Sequence, residues 1–165
     1  MILKIKDTEF ELKFSIMLDK ALNKHVKDED VDSKGRNKVS GGIAKVLPEL
    51  IDQDVDMLAT VIDVANKLKP KDKQFKGNFD DILEAIDDRM NEDEDATKIF
   101  SEVFEAIDSS AFSRNELKKF ADNMLLVKEM RSDELDENKA NLMIKRLNSS
   151  YQAITGNTLV EVETD

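Results

Sequence analysis

Three features of the 165-residue sequence predict a mainly α fold, a multi-helix bundle with a small N-terminal β-hairpin. The first 14 residues alternate apolar and charged side chains. Later segments repeat apolar residues every three or four positions, the spacing of one helix face. The stretch from about Gln53 to Leu68 is apolar around most of a helical circumference, as befits a helix central to its domain.

The elements follow in order. Leu3 and Ile5 alternate with Lys4 and Lys6, and Phe10, Leu12 and Phe14 with Glu9, Glu11 and Lys13. Each run thus has one face for a core and one for water. Asp7-Thr8 suits the reversal between them. A lone hairpin is marginal in water, so its apolar face should lie on helices. Ser15 is the expected N-cap of a helix to about His25, with Met17, Leu18, Ala21 and Leu22 facing the core. Residues 26–38, charged and containing Gly35, read as a mobile loop. Ser40-Gly41-Gly42 then leads into Ile43, Val46, Leu47, Leu50 and Ile51, a segment that Pro48 should kink or divide.

In the central helix, Val55, Leu58, Ala59, Ile62 and Ala65 form a stripe that Met57, Val61, Val64 and Leu68 widen. Lys69-Pro70 ends it. Phe79, Ile82, Leu83, Ile86 and Met90 share the face of the next helix, with Asn78 as its cap. Ile99, Phe100, Val103, Phe104 and Ile107 share the face of another. Ser113-Arg114-Asn115-Glu116 has the pattern of a capping box and should start a helix to about Arg131. A last helix is expected over about 133–154, before a short tail. These elements divide into a hairpin-plus-helical core domain, 1–110, and a helical extension, 111–165.

Charge narrows the function. The formal net charge is −11, and residues 76–110 hold 12 acidic against 3 basic residues. Such a surface repels phosphate backbones and anionic lipid, so neither nucleic acid nor membrane is the expected partner. No stretch has the uninterrupted apolar core of a signal peptide or the length of a membrane span. Without cysteine there is neither a disulfide nor a thiolate site, and the chain reads as cytosolic.

Nothing in the sequence resembles a catalytic centre, and no cofactor is expected. His25 is the single histidine and falls where a helix should end, a favourable place for an imidazolium. Gly41-Gly42 before a helix offers free amides to an anion, or simply a flexible lead-in. Asp80/Asp81 and Asp87/Asp88 are acidic pairs, and Asn91, Asp93, Asp95 and Glu102 occupy positions 1, 3, 5 and 12 of a calcium-loop template. Its sixth position, glycine in a true loop, is Ala96. The plainer reading is acids at a helix start, where the dipole favours them.

Surplus apolar surface lies near the C-terminus. Leu117, Phe120, Ala121 and Met124 form one stripe of their helix, while Leu126 and Met130 project to the other side. In the following helix Met143, Ile144, Leu147, Tyr151 and Ile154 group together, and Leu135 and Leu142 face away. Leu126, Met130, Leu135 and Leu142 are therefore the candidate partner-binding residues. Internal packing or a homo-oligomer contact is the alternative use of the same strip.

The order of segments resembles the tail assembly chaperones of long-tailed bacteriophages of Gram-positive hosts. The resemblance rests on MILKIKDTEFELKFSIMLDKALNKH, on GGIAKVLPELIDQDVDMLATVIDVANK and on NFDDILEAIDDRMNEDEDATKIFSEVFEAID, in the family's order over about residues 1–110. It implies a non-catalytic protein of the host bacterial cytoplasm that binds the tape measure protein and keeps it soluble. Tail tube protein is a further implied partner, through a longer frameshifted form. The competing reading is a small acidic regulatory or inhibitory protein that occupies a basic site on its target. An enzyme with a carboxylate-only metal site at Asp80–Asp95 is the third.

Overall fold

In the computed structural model of the protein, strands β1 (Ile2–Ile5) and β2 (Thr8–Glu11) pair antiparallel, with Leu3 opposite Phe10 and Ile5 opposite Thr8. The structure describes residues 1–26 and 41–130, with side chains to 123, and thereafter 141, 142, 144–146, 148, 149 and 152. The expected loop, the expected last helix as a unit and the tail lie outside the described residues, apart from Val26 and those helical positions. The reversal is Lys6-Asp7, one residue earlier than expected, and Lys6 takes the left-handed φ of 53°. A two-residue reversal needs such a φ at its first position, and Thr8, being β-branched, suits the strand instead.

Leu3, Ile5, Phe10, Leu12 and Phe14 are buried, as the alternation requires. At the open end of the hairpin, side chains hold both outer edges. The Ile2 carbonyl accepts from Arg89 Nη1 at 3.0 Å, and the Glu11 carbonyl, directly across the ladder, accepts from Lys69 Nζ at 3.1 Å. Lys69 also stands 3.8 Å above the Phe10 ring, whose edge meets Phe75 at 5.5 Å. Partial burial lowers the pKa of its ammonium, partly offset by Glu11.

Helix α1 (Ile16–His25) starts where Ser15 Oγ accepts from the Leu18 amide at 3.2 Å, and it buries Leu18 and Leu22. Helix α2 (Gly42–Ile51) runs through Pro48 undivided. Pro48 sits one turn from the end, so little helix remains after it. Burying Val46, Leu47, Leu50 and Ile51, at roughly 1.5–3 kcal/mol each, outweighs a proline cost of about 3 kcal/mol. Beyond α2 the Gln53 amide bonds to the Leu50 carbonyl and the Asp54 amide to that of Glu49, with Gln53 left-handed at φ 61°. That is a Schellman stop. Asp54 at once caps α3 (Val55–Leu68) by accepting from the Met57 amide at 2.7 Å.

A 3-10 turn at Lys71–Lys73 brings Phe75 back to the core. Helix α4 (Phe79–Asp93) opens with a capping box, since Asn78 and Asp81 each accept from the other's amide. Helix α5 (Lys98–Asp108) buries all five apolar residues expected of it. Helix α6 (Ala111–Met130) begins two residues before Ser113. Ser110 supplies the cap, accepting from the Ser113 amide, while Ser113 is buried and donates to the Ile107 carbonyl. The serine in the capping-box pattern is thus inside the helix, because another serine lies one turn earlier.

Helices α2 to α6 close a cycle in which each packs on the next and α6 returns to α2. Helix α1 lies on α2 and α3, and β1 lies on α4. Leu117, Phe120 and Ala121 of α6 belong to the same apolar core as Leu3 and Phe10.

Candidate partner-binding surfaces

Among the described residues, no group of three or more His, Asp or Glu side chains is placed to hold a metal ion. Two of the calcium-template carboxylates, Asp93 and Glu102, are engaged by neighbours of opposite charge. Arg89 Nε donates to Asp93 at 2.7 Å and its Nη2 to Glu102 at 2.6 Å, while Lys98 reaches Asp93 at 2.5 Å. Lys98 and then Arg89 hold the Asp93 carboxyl below the ordinary range, and the same pairing, Asp93 first, raises Arg89. Asp95 accepts from the hydroxyl and amide of Thr97, which lower its pKa in turn. Of the acidic pairs and the template acids, only Asp80 and Asp81 occupy a helix's first turn; Asp93 ends α4, and Asp95 lies in the link to α5.

The remaining acids of α4 are displayed. Asp80, Glu84, Asp87, Asp88 and Glu92 are exposed, and Asp81 is tied to Lys6 at 2.8 Å. Lys6, and then the Asn78 amide, lower the Asp81 pKa. Between this face and β1 lies a cleft of about 530 Å³, walled by Ile2, Lys4, Glu84, Asp88 and Glu92.

At the helix start after Gly41-Gly42 the anion is an internal carboxylate. The Asp19 carboxylate, on α1, accepts from the Ile43 amide at 2.9 Å and so caps α2 from outside the helix. His25 is exposed in the last turn of α1.

Of the four residues singled out in the sequence, Leu126 and Met130 lie on α6 with their side chains outside the described part. Leu135 lies outside the described residues altogether. Leu142 is helical and 50% exposed, whereas Ile144, two positions on, is buried. Arg146 makes an ion pair with Asp52 at the end of α2, which places that helical stretch beside the core.

Three exposed apolar residues, Phe79 and the pair Met17 and Leu68, were assigned to helix faces by periodicity. Met17 is 63% exposed and Leu68 42% exposed. Both line a groove of about 750 Å³ between β2, the start of α1 and the end of α3, with Glu9, Glu11, Lys69 and Lys73 in its walls. A signal for them existed in their positions. Met17 is in the first turn of α1 and Leu68 is the last residue of α3, where side chains project past the packed middle of a helix.

A closed helical core that bears, among the described residues, two open clefts and half-exposed apolar side chains is suited to contact with other polypeptides. The chain belongs to the phage tail assembly chaperone family (TAC), whose sequence model matches residues 2–122. Membership supports a tail-assembly chaperone role and implies binding to tail proteins. No curated protein and no solved structure matches the chain. The matched span runs from β1 into α6, includes Met17 and Leu68, and stops before Leu126. Among the described residues no helix is long and apolar enough to cross a membrane.

Proposed function

We propose that the protein is a non-catalytic chaperone that binds the tape measure protein in the host cytoplasm and keeps it soluble while the tail is built. Family membership is the observation that carries this reading. A tape measure chain is long, helical and prone to aggregate, so it requires apolar cover supplied by a carrier that itself stays dissolved. The exposed acids of α4 provide the charge for that. Leu126, Met130, Leu135 and Leu142 form the client strip in this reading, and the half-exposed Leu142 beside buried Ile144 supports a two-faced helix there. Tail tube protein would be a second partner, and self-association a competing use of the strip.

Co-expression with the tape measure protein tests the reading. The client should become soluble and co-purify, and replacing Leu126 and Met130 with Ser should weaken recovery without changing the circular dichroism spectrum. An insoluble client would overturn the function. A soluble client bound equally by the double variant would overturn only the strip. Binding that collapses with salt would favour the acidic-inhibitor alternative, since screening acts on exposed charge.

A further inference from the structure

We infer that the groove between β2, the start of α1 and the end of α3 docks an amphipathic helix of a partner polypeptide whose apolar stripe is flanked on one side by carboxylates. The inference does not rest on the C-terminal strip. Its apolar part is Met17, 63% exposed in the first turn of α1, and Leu68, 42% exposed at the last residue of α3. A helix presents apolar side chains at i, i+3 and i+4, and a groove of about 750 Å³ accepts two or three of them. Methionine at such a site adapts to irregular occupants.

Charge selects the flanks of the occupant. The chain carries −11 overall, yet residues 67–76 hold five lysines against one aspartate. Of these, Lys73 lines the groove, and both Lys71 and Lys73 are exposed. The facing wall bears Glu9 and Glu11, the latter paired with Lys13 at 2.8 Å. A phosphate backbone or an anionic bilayer would meet those carboxylates along its length. A helix with acids along one flank sets them against the lysines alone, and this asymmetry favours a polypeptide.

The test uses the full chain and a fluorescein-labelled helical peptide carrying leucines at i, i+3, i+4 and i+7 with glutamates along one flank. A control peptide carries lysines instead. Anisotropy should show the glutamate peptide binding about tenfold tighter than the control. Met17→Ser with Leu68→Ser should weaken it about tenfold or more, because both side chains contribute contact area. Lys71→Glu with Lys73→Glu should weaken it about threefold or more and flatten its salt dependence. Circular dichroism should stay unchanged, as all four side chains are exposed. Equal binding of the two peptides, no binding of either, or indifference to the Met17/Leu68 variant would overturn the inference. So would displacement of the glutamate peptide by a DNA duplex or by phosphatidylserine vesicles.

Discussion

The Asp19 carboxylate accepts a hydrogen bond from the Ile43 amide at 2.9 Å, so one helix supplies the N-terminal cap of the next. Gly42 makes the approach possible. A Cβ at that position would stand 2.1 Å from the Asp19 carbonyl oxygen and 2.4 Å from the Asn23 nitrogen, both backbone atoms that cannot swing aside. Lys45 completes the joint by reaching the Asn23 and Val26 carbonyls at the end of α1, each at 3.4 Å. Gly42→Ala should therefore force α1 and α2 apart and destabilise the protein by roughly 2 kcal/mol or more, in the range of overpacked cores. Asp19→Ala should cost about 1 kcal/mol, as loss of a cap does. Urea denaturation of the three proteins checks both values, and a neutral Gly42→Ala would show that the helices separate freely.

The Schellman stop after α2 is made with Gln53 rather than glycine at the left-handed position. An L residue pays about 1–2 kcal/mol in that conformation, against about 0.5–1 kcal/mol of extra chain entropy for glycine. Gln53→Gly should accordingly stabilise the fold by about 0.5–1 kcal/mol. A rise in melting temperature by calorimetry is the expected outcome.

Asn66 was legible only as a polar position on a helix, yet it is 7% exposed inside the core. Its amide donates to the Phe75 carbonyl at 3.3 Å and its oxygen accepts from the Phe75 amide at 3.1 Å, as a neighbouring strand would. This pair fixes Phe75 against Phe10. Asn66→Leu should strand two buried backbone groups and cost about 2–4 kcal/mol, since each unpaired group costs about 1–3 kcal/mol. Asn66→Asp should also destabilise, by losing the donor and adding a charge. Thermal unfolding of both variants tests the bidentate reading, which requires Asp not to rescue.

These cases mark what the sequence carried and what it did not. Ser15 and Asn78 were readable as caps because each bonds within four residues of itself. The buried faces of α3 and α5 were readable because periodicity registers a face. Gly42 and Asn66 were not, because the residues they meet lie 9 to 23 positions away and depend on how helices meet. Ser113 misled for a local reason, as Ser110 offers the same chemistry one turn earlier. Met17 and Leu68 were misassigned because a hydrophobic stripe says nothing about where its partner surface ends. The strip from Leu126 to Leu142 is the remaining case, with only Leu142 placed.

Arg89 joins α4, α5 and β1 through Asp93, Glu102 and the Ile2 carbonyl. Asp93, Asp95 and Asp81 all have pKa values lowered in the folded chain, by Lys98 and Arg89, by Thr97, and by Lys6 respectively. A carboxylate whose folded pKa lies below its unfolded one stabilises fully above the unfolded value, and that contribution is lost as pH falls through the folded value. Stability should thus hold steady at neutral pH and fall below about pH 4. Lys98→Gln should raise the Asp93 pKa and move the start of that fall upward. Carboxyl titration by NMR measures the first effect directly, and an unmoved Asp93 would remove Lys98 as the cause.

The boundary at residue 110 expected from the sequence can be tested through the core itself. Leu117, Phe120 and Ala121 are buried in the same cluster as the hairpin and α2, and α6 closes the helical cycle by packing on α2. A fragment ending at 110 would uncover the surfaces of α2 and α5 that these three side chains touch. Full burial of a leucine or phenylalanine contributes about 1.5–3 kcal/mol, so losing both removes roughly 3–6 kcal/mol. Against a typical total of about 5–15 kcal/mol, that would leave residues 1–110 marginal. A fragment ending at 123, one residue beyond the family match, keeps all three. The longer fragment should unfold cooperatively in urea and the shorter one should not. Equal cooperativity in both would place α6 outside the folding unit and restore the boundary at 110.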